Sequence, residues 1–277
     1  IAINVHIAPG DEVICERSCH IVAFEGGAPA AFSGAMINAL DGDNGTFSPD
    51  QVAAASRPAS RYAPRSRLMC VEQTANMAGG CVWPLDQITA VSSVARDAGL
   101  ATHMDGARLM NAVVQSGISA RDWVAGYDTC WIDFSKGLGA PVGAVLAGSH
   151  DFIEQAWRVK QAIGGAMRQS GILAAMCLYA LDHHVERLAD DHDLAASIAG
   201  RIRQLPKVDA MLPVHTNIVI FDLTEDAPDA AELARLCDND GISIGAFGQR
   251  RIRVVTHLDV DEEAADALCQ ALARHLG

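Results

Sequence analysis

The chain has 277 residues, half of them hydrophobic and a fifth charged. This balance is typical of a soluble globular protein with room for one large domain and a smaller one. Acidic side chains outnumber basic ones by 34 to 21, which gives a formal net charge of −13. Such a surface repels polyanions, so we expect no nucleic acid or anionic membrane as a partner. No run of about 18 apolar residues occurs, and no membrane-spanning helix is expected.

The eight cysteines contain no C-x-x-C pair, and most lie inside apolar stretches such as LMCVE and AAMCLYAL. They are typical of buried thiols in a reducing compartment, and we therefore expect a cytoplasmic protein. A group formed by Cys15, Cys19 and His20 raises the alternative of a metal site. No second ligand pair has the spacing that zinc requires, so we expect no metal.

The chain begins with IAINVHIAPGDEVICE, which predicts the last turns of a helix, a Pro-Gly turn and a strand. A domain seldom starts inside a helix, and we expect an upstream segment to be missing.

Strand-like and helix-like stretches alternate over the next 130 residues. The expected helices cover 49–57, 85–98 and 107–117. The expected strands cover 12–15, 35–40, 67–73, 101–105, 130–135 and 143–148. This alternation predicts an α/β fold with a mostly parallel sheet covered on both faces.

Beyond residue 150 the pattern changes. Residues 150–203 are helical in character, and the remaining chain predicts two strands and two helices. The expected strands are 216–223 and 250–258, and the expected helices are 229–241 and 261–276. We therefore expect a large domain at 1–200 and a small α+β C-terminal domain at 201–277.

Three of the predicted strands end in polar clusters followed by small residues. The clusters read EQTAN, HMDGAR and DFSKGLGAP. Ligands of open α/β sheets bind at the carboxyl ends of the strands. These three segments are therefore the candidate site.

Lys136 is the most informative residue of the candidate site. The chain has only three lysines, and this one follows a strand and precedes Gly137 and Gly139, where the backbone can approach a ligand closely. A desolvated lysine has a lowered pKa and can form an imine with a carbonyl group. The alternative, a lysine whose amine extends from a strand end into water, is equally compatible with the pattern.

The DGAR segment adds Asp105 and Arg108. An aspartate at this point can keep a pyridine nitrogen protonated, so that the ring accepts electrons. Arg108 can offer a planar fork of donors to a carboxylate or another oxyanion. The alternative is that Asp105 caps the helix that follows it.

Four segments together resemble the L-threonine aldolase family. They are HMDGARLMNA, SKGLGAPVGAVLAGS, GGAMRQSGILAAMCLYAL and IRVVTHLDV, and the resemblance covers nearly the whole chain. It implies pyridoxal 5′-phosphate as cofactor and the aspartate-aminotransferase-like fold, which is fold type I of pyridoxal-phosphate enzymes. It also implies a homodimer or homotetramer with active sites at the subunit interface.

The resemblance assigns five residues to the cofactor, one of which, Arg108, lies near both the cofactor and the substrate carboxylate. Lys136 corresponds to the Schiff-base lysine, Asp105 to the partner of the pyridine nitrogen and Ser135 to a phosphate-binding residue. His20 corresponds to the histidine that stacks on the cofactor ring, and it is also the candidate catalytic base.

Three arginines correspond to substrate-binding residues of the family. Arg253 matches the arginine that holds the substrate carboxylate from the small domain, and Arg108 lies near the same carboxylate. Arg168 is similar to an arginine that reaches the site across the subunit interface.

Two departures from the family pattern affect these expectations. The family reads E-N-T-H-N where this chain has Ala75 in place of the histidine that reaches the substrate hydroxyl. A Ser-Gly-Thr phosphate loop of the family is also absent from the sequence.

The expected reaction is the cleavage of L-threonine, L-allo-threonine or a related β-hydroxy-α-amino acid to glycine and an aldehyde. The alternatives are another pyridoxal-phosphate lyase or a racemase on the same fold, or a truncated protein without activity.

Overall fold

The computed structural model describes residues 1–277. Its first part is built on a six-stranded sheet with the order β2-β1-β3-β4-β5-β6. Five strands run parallel, and β6 pairs antiparallel with β5. The strands are β1 (Glu12–Glu16), β2 (Met36–Leu40), β3 (Ser66–Glu72), β4 (Ala101–Gly106), β5 (Thr129–Asp133) and β6 (Ala144–Ala147). The predicted mostly parallel sheet is confirmed.

Seven helices accompany this sheet. They are α1 (Ala2–His6), α2 (His20–Ala23), α3 (Ala28–Ser33), α4 (Pro49–Ala55), α5 (Leu85–Asp97), α6 (Leu109–Ser116) and α7 (Ala120–Val124). Two of them follow directly from local sequence. Ser48 forms a capping box with Gln51 at the start of α4, and α5 buries Ile88 and Val91 on its apolar face. The predicted helices at 49–57, 85–98 and 107–117 are confirmed, whereas α2, α3 and α7 were not predicted.

Side chains along β3 alternate between two cores. Met69 and Val71 pack with Trp83 and α5 on one face, while Leu68 and Cys70 pack on the opposite face. Because side chains in a strand alternate, Glu72 lies on the same face as Leu68 and Cys70. The carboxylate of Glu72 therefore enters the site from that face.

The second part of the chain starts with three helices and ends in a smaller sheet. Its helices are α8 (His150–Ala162), α9 (Gly171–His183), α10 (Leu188–Ile202), α11 (Ala230–Asn239) and α12 (Glu262–Leu276). Its strands are β7 (Val208–Met211), β8 (Ile218–Leu223), β9 (Gly245–Phe247) and β10 (Arg251–Val255), in the antiparallel order β7-β8-β10-β9. The short strands β7 and β9 were not predicted. Residues 195–202 of α10 pack in the core of this second sheet, and the domain boundary at residue 200 stays a prediction.

Buried polar side chains join the two parts. The amide nitrogen of Asn111 on α6 lies 3.1 Å from Nε2 of His192 and donates to Oδ1 of Asn217 at 3.4 Å. The amide of Asn217 in turn donates to the carbonyl oxygen of Thr256 at 2.9 Å. Buried hydrogen bonds of this kind specify one relative arrangement of the elements that they connect.

All eight cysteines are buried and unpaired, as the sequence predicts. None of the helices combines the length and the apolar character needed to cross a membrane.

Candidate active site

The three polar segments found in the sequence meet at one edge of the large sheet. Glu72 and Asp105 are paired neighbours on β3 and β4, and Asp105 is in turn paired with Trp131 on β5. The strands end at Glu72, Gly106 and Asp133, so the predicted strand ends are correct to within two residues. Parallel strands bring these residues together because their carboxyl ends share one edge.

Asp105 is a buried carboxylate that lacks a cationic hydrogen-bond partner. Its side chain accepts a hydrogen bond from the backbone nitrogen of Ala107 at 3.0 Å, and 8% of the residue is exposed. Burial, followed by the charge of Glu72, raises the pKa of Asp105 to about 7. Helix α6 begins at Leu109 with Arg108 as its N-cap, so the alternative role of Asp105 as the helix cap does not apply.

Lys136 lies in the loop after β5. Its Nζ donates to Oδ2 of Asp133 at 2.5 Å and lies 5.3 Å from the ring centroid of Trp131. Burial alone would raise the pKa of Asp133, but hydrogen bonds from Lys136 and Ser135 outweigh it and lower the pKa. The Lys136 amine is therefore held at the strand ends by a charged carboxylate and does not extend freely into water.

Ser135 is exposed, and it binds the same carboxylate. Its backbone nitrogen and its hydroxyl donate to Oδ1 of Asp133 at 2.8 and 2.7 Å. The hydroxyl is thus already engaged with an anion, and its role in phosphate binding stays a prediction.

Arg108 and Arg253 come from different parts of the chain and converge on one oxygen atom. The Nη1 atoms of Arg108 and Arg253 donate to Oδ1 of Asn76 at 3.4 and 2.8 Å. Burial, followed by the charge of Arg253, lowers the pKa of Arg108, and burial also lowers the pKa of Arg253. Neither guanidinium forms an ion pair with a carboxylate, and the two together form a receptor for an anion.

His20 is the first residue of α2 and lies beside these groups. Its backbone nitrogen donates to Oε2 of Glu72 at 2.6 Å, and its Nδ1 lies 2.5 Å from Oε1 of Glu25. Because a carboxylate only accepts hydrogen bonds, Nδ1 carries the proton. Nε2 forms no hydrogen bond and remains the nitrogen that can accept a proton.

Arg168 is not part of this group of residues. It is exposed in the loop between α8 and α9 and forms none of the hydrogen bonds or ion pairs that connect the other candidates. Its expected contribution requires a second copy of the chain and stays a prediction.

Three residues of the site were not singled out in the sequence. Asp133 holds Lys136, Asn76 bridges the two arginines, and Glu72 accepts backbone hydrogen bonds from both Asn76 and His20. All three lie inside the strand-end segments. The sequence shows how far apart they are along the chain but not the direction of their side chains.

An apolar cavity is a neighbour of the site rather than the site itself. It has a volume of about 770 Å³, and most residues that line it are hydrophobic. Asp105 and Glu72 belong to its wall, whereas Lys136, Arg108 and Arg253 do not.

The groups at the strand ends match the needs of pyridoxal phosphate. Asp105 is a buried acid with no hydrogen-bonded cation, which suits a protonated ring nitrogen, and Lys136 offers an amine for the cofactor aldehyde. The two arginines form no ion pair with a carboxylate, which suits the negative groups of a bound cofactor and its amino acid. The fold and these groups define a pyridoxal-phosphate-dependent enzyme.

Comparison with known proteins agrees with this class. The beta-eliminating lyase family model matches residues 1–226. The low specificity L-threonine aldolase of Escherichia coli is 36% identical over 264 residues, which cover 95% of this chain and 77% of that protein. The structure of Leishmania major threonine aldolase covers all of this chain, with 80% of its own length aligned, a TM-score of 0.84 and 18% identity. An aspartate aminotransferase structure from Thermus thermophilus has the same fold, with 99% of this chain and 76% of that chain aligned, a TM-score of 0.71 and 18% identity.

The chain therefore belongs to the beta-eliminating lyase family, whose members depend on pyridoxal phosphate, and groups there with the low-specificity L-threonine aldolases.

Proposed function

We propose that this protein cleaves L-threonine, L-allo-threonine or a related β-hydroxy-α-amino acid into glycine and an aldehyde. The observation that carries the proposal is that Arg108 and Arg253, beside the candidate cofactor residues, form no ion pair with a carboxylate. An amino acid substrate must present its carboxylate to a fixed anion receptor while its α-carbon faces the cofactor. The relatives described as threonine aldolases support the choice of substrate.

Lys136 and Asp105 hold the cofactor in this proposal. Lys136 would hold the cofactor through its aldehyde group, and Asp105 would keep a proton on the ring nitrogen. Pyridoxal phosphate, when bound, supplies a conjugated ring that delocalises the negative charge left on Cα after the Cα–Cβ bond breaks. Asp105 is suited to its part because a buried carboxylate gains most from a cationic partner.

Arg108 and Arg253 hold the substrate carboxylate. Each has donors on Nε and Nη2 that the observed bond to Asn76 does not use. A fixed carboxylate restricts rotation at the substrate Cα. The Cα–Cβ bond can then be oriented perpendicular to the plane of the cofactor ring.

His20 accepts the proton of the β-hydroxyl group. Glu25 fixes the proton on Nδ1 and leaves Nε2 as the acceptor, and Ala75 provides no basic group at the position where relatives of the family carry a histidine. The competing role is stacking on the cofactor ring alone, which a phenylalanine could also perform.

The test is product analysis on the purified protein with added pyridoxal phosphate. With L-threonine, the proposal expects glycine and acetaldehyde in equal amounts. The second candidate is β-elimination, which the description of the matching family favours, and it would release 2-oxobutyrate and ammonia instead. Absence of all four products, with the cofactor bound, would support the alternative of a protein without activity.

The proposed assembly is a homodimer or homotetramer in the cytoplasm. Helix α9 exposes large apolar side chains on its surface, which supports burial against another subunit. Their exposed fractions are 67% for Ile172, 41% for Met176, 60% for Leu178 and 58% for Tyr179. In such an assembly Arg168 reaches the site of the neighbouring subunit. Light scattering during size-exclusion chromatography tests this, and a monomer at micromolar concentration would contradict it.

A further inference from the structure

We propose that Asn76 is the positioning residue of the arginine pair: it holds Arg108 and Arg253 together through one neutral oxygen and leaves their charge for the substrate carboxylate. The proposal rests on the proposed function, in which these two arginines bind that carboxylate.

Asn76 is itself rigidly held. It begins the 3₁₀ turn Asn76–Ala78 directly after β3, and 5% of it is exposed. Its backbone nitrogen donates to Oε1 of Glu72 at 2.7 Å, while the other oxygen of the same carboxylate accepts from the backbone of His20 at 2.6 Å. Glu72 therefore fixes two backbone positions: Asn76, whose side chain holds the arginines, and His20, the candidate base at the start of α2.

The two arginines need such a bridge because they repel each other. Arg108 is the N-cap of α6, just after β4 of the large sheet, and Arg253 lies on β10 of the small sheet. The charge of Arg253 contributes, after burial, to the lowered pKa of Arg108. An amide oxygen can accept from both Nη1 atoms and so offset part of the repulsion. It does so without adding a charge, and the pair keeps its affinity for an anion.

Other side chains at this position would change the receptor in opposite ways. An aspartate would neutralise one positive charge and occupy the receptor with an internal carboxylate. A serine would keep a small polar group but lose the reach needed to bridge the two guanidiniums. Asn76 hydrogen-bonds to Glu72 and the two arginines but not to Lys136 or Asp105, so its effect should be confined to ligands that carry a carboxylate.

The experiment compares two small amines on the cofactor-loaded protein. Glycine carries the carboxylate, and ethanolamine replaces it with a hydroxymethyl group, so the ratio of their dissociation constants isolates carboxylate recognition. Calorimetric titration gives both constants for the wild type, Asn76→Asp, Asn76→Ser and Asn239→Asp. The last variant adds the same charge at an exposed position of α11 and controls for net charge.

The proposal expects Asn76→Asp to weaken glycine binding by roughly 10- to 100-fold, the scale of disturbing one charge pair, with ethanolamine binding unchanged. Asn76→Ser should weaken glycine binding by roughly three- to tenfold, and Asn239→Asp should leave both constants at their wild-type values. The absorbance of the bound cofactor and the melting temperature should not fall in either Asn76 variant.

Equal weakening of both ligands, or unchanged glycine binding in both Asn76 variants, would overturn the role of Asn76 and leave the aldolase proposal standing. A wild-type protein that does not prefer glycine to ethanolamine would instead contradict the proposed function, and with it this inference. Should Asn76→Asp fail to fold, Asn76→Ser decides the matter by the same ratio.

Discussion

Charged side chains that stabilise the second sheet and charged side chains that meet at the carboxyl edge of the large sheet have different kinds of partner, and both kinds occur on β10. On β10, Arg251 forms a bidentate ion pair with Asp222 at 2.8 and 2.7 Å. Arg253, two residues further along the same strand, hydrogen-bonds to the neutral oxygen of Asn76 and lies 4.5 Å from the ring centroid of Phe247, with no carboxylate partner. Arginines usually gain from planar, bidentate pairing with a carboxylate. The difference indicates that Arg251 serves the fold and that Arg253 is kept available for a ligand.

The acidic residues show the same contrast. Asp222 lies beside a cation, whereas Asp105 at the strand ends is buried next to Glu72, which raises its pKa to about 7. Perturbed groups of this kind concentrate at functional sites, where stability is sacrificed for binding and catalysis. Matched substitutions in the two regions can test this interpretation.

The largest effect is expected for Lys136→Ala. Removing the amine that bonds to the cofactor should lower kcat by on the order of 10⁴-fold or more, as for other covalent catalytic groups. Lys160, which packs over Trp157 on α8, provides the control: Lys160→Ala should retain near wild-type turnover. Glycine release measured for both variants checks this, and comparable losses in the two would remove Lys136 from its assigned role.

The next effect separates two histidines that both pair with a carboxylate. His20 pairs with Glu25, and His275 on α12 pairs with Asp240 at 2.9 Å. If His20 accepts the hydroxyl proton, His20→Phe should lower kcat by roughly 10²- to 10⁴-fold, the usual contribution of general base catalysis. His275→Phe should leave kcat unchanged. Near-full turnover of His20→Phe would reduce His20 to a stacking role.

A smaller and qualitatively different pair of effects is expected for the two arginines of β10. Arg253→Ala should raise the KM for the amino acid by roughly 10²-fold, because the carboxylate loses a charged partner. Arg251→Ala should leave KM unchanged and cost about 1 kcal/mol of unfolding free energy, since its ion pair with Asp222 is partly exposed. Steady-state kinetics and thermal denaturation distinguish the two variants. A raised KM for Arg251→Ala together with an unchanged KM for Arg253→Ala would contradict these assignments.

The last effect concerns the pH dependence of stability rather than catalysis. The pKa of Asp105 is raised in the folded, cofactor-free protein, so its contribution to stability is present at low pH and is lost as the pH rises through about 7. Asp105→Asn cannot ionise. Relative to the wild type, this variant should therefore gain stability between pH 5 and pH 8, by a few kcal/mol at most. Denaturant titrations at the two pH values give the unfolding free energies of both proteins. A wild type that becomes more stable relative to the variant between pH 5 and pH 8 would contradict the prediction.

The sequence predicted the long elements well and the short ones poorly. The 13-residue helix α5 carries its own apolar face and ends at Asp97, two residues before Gly99, and local signals are sufficient for such an element. The four-residue strand β7 and the three-residue strand β9 depend on pairing with β8 and β10. Their formation is decided by tertiary contacts, which no local pattern reports.

The residues of the site also fall into those that the sequence predicted and those that it did not. Lys136 was found because lysine is rare in this chain and this one follows a predicted strand, and Asp105 because it ends another predicted strand. The rule that ligands bind at strand ends places the two together. Asn76 was not found, because its partner Arg253 lies 177 residues away in the sequence. Asp133 was not either, since its hydrogen bond to Lys136 depends on how the loop after β5 turns back. Side-chain direction in loops is fixed by packing, and the sequence does not show it.

The central claim, that Lys136 bonds to pyridoxal phosphate, can be tested by one measurement. The protein is loaded with the cofactor, treated with borohydride and digested, and the labelled peptide is identified by mass spectrometry. We expect the absorbance band of the lysine–cofactor bond to disappear on reduction and the label to be on Lys136. A label on Lys160 or Lys207, or no label on a protein that cleaves threonine, would contradict it.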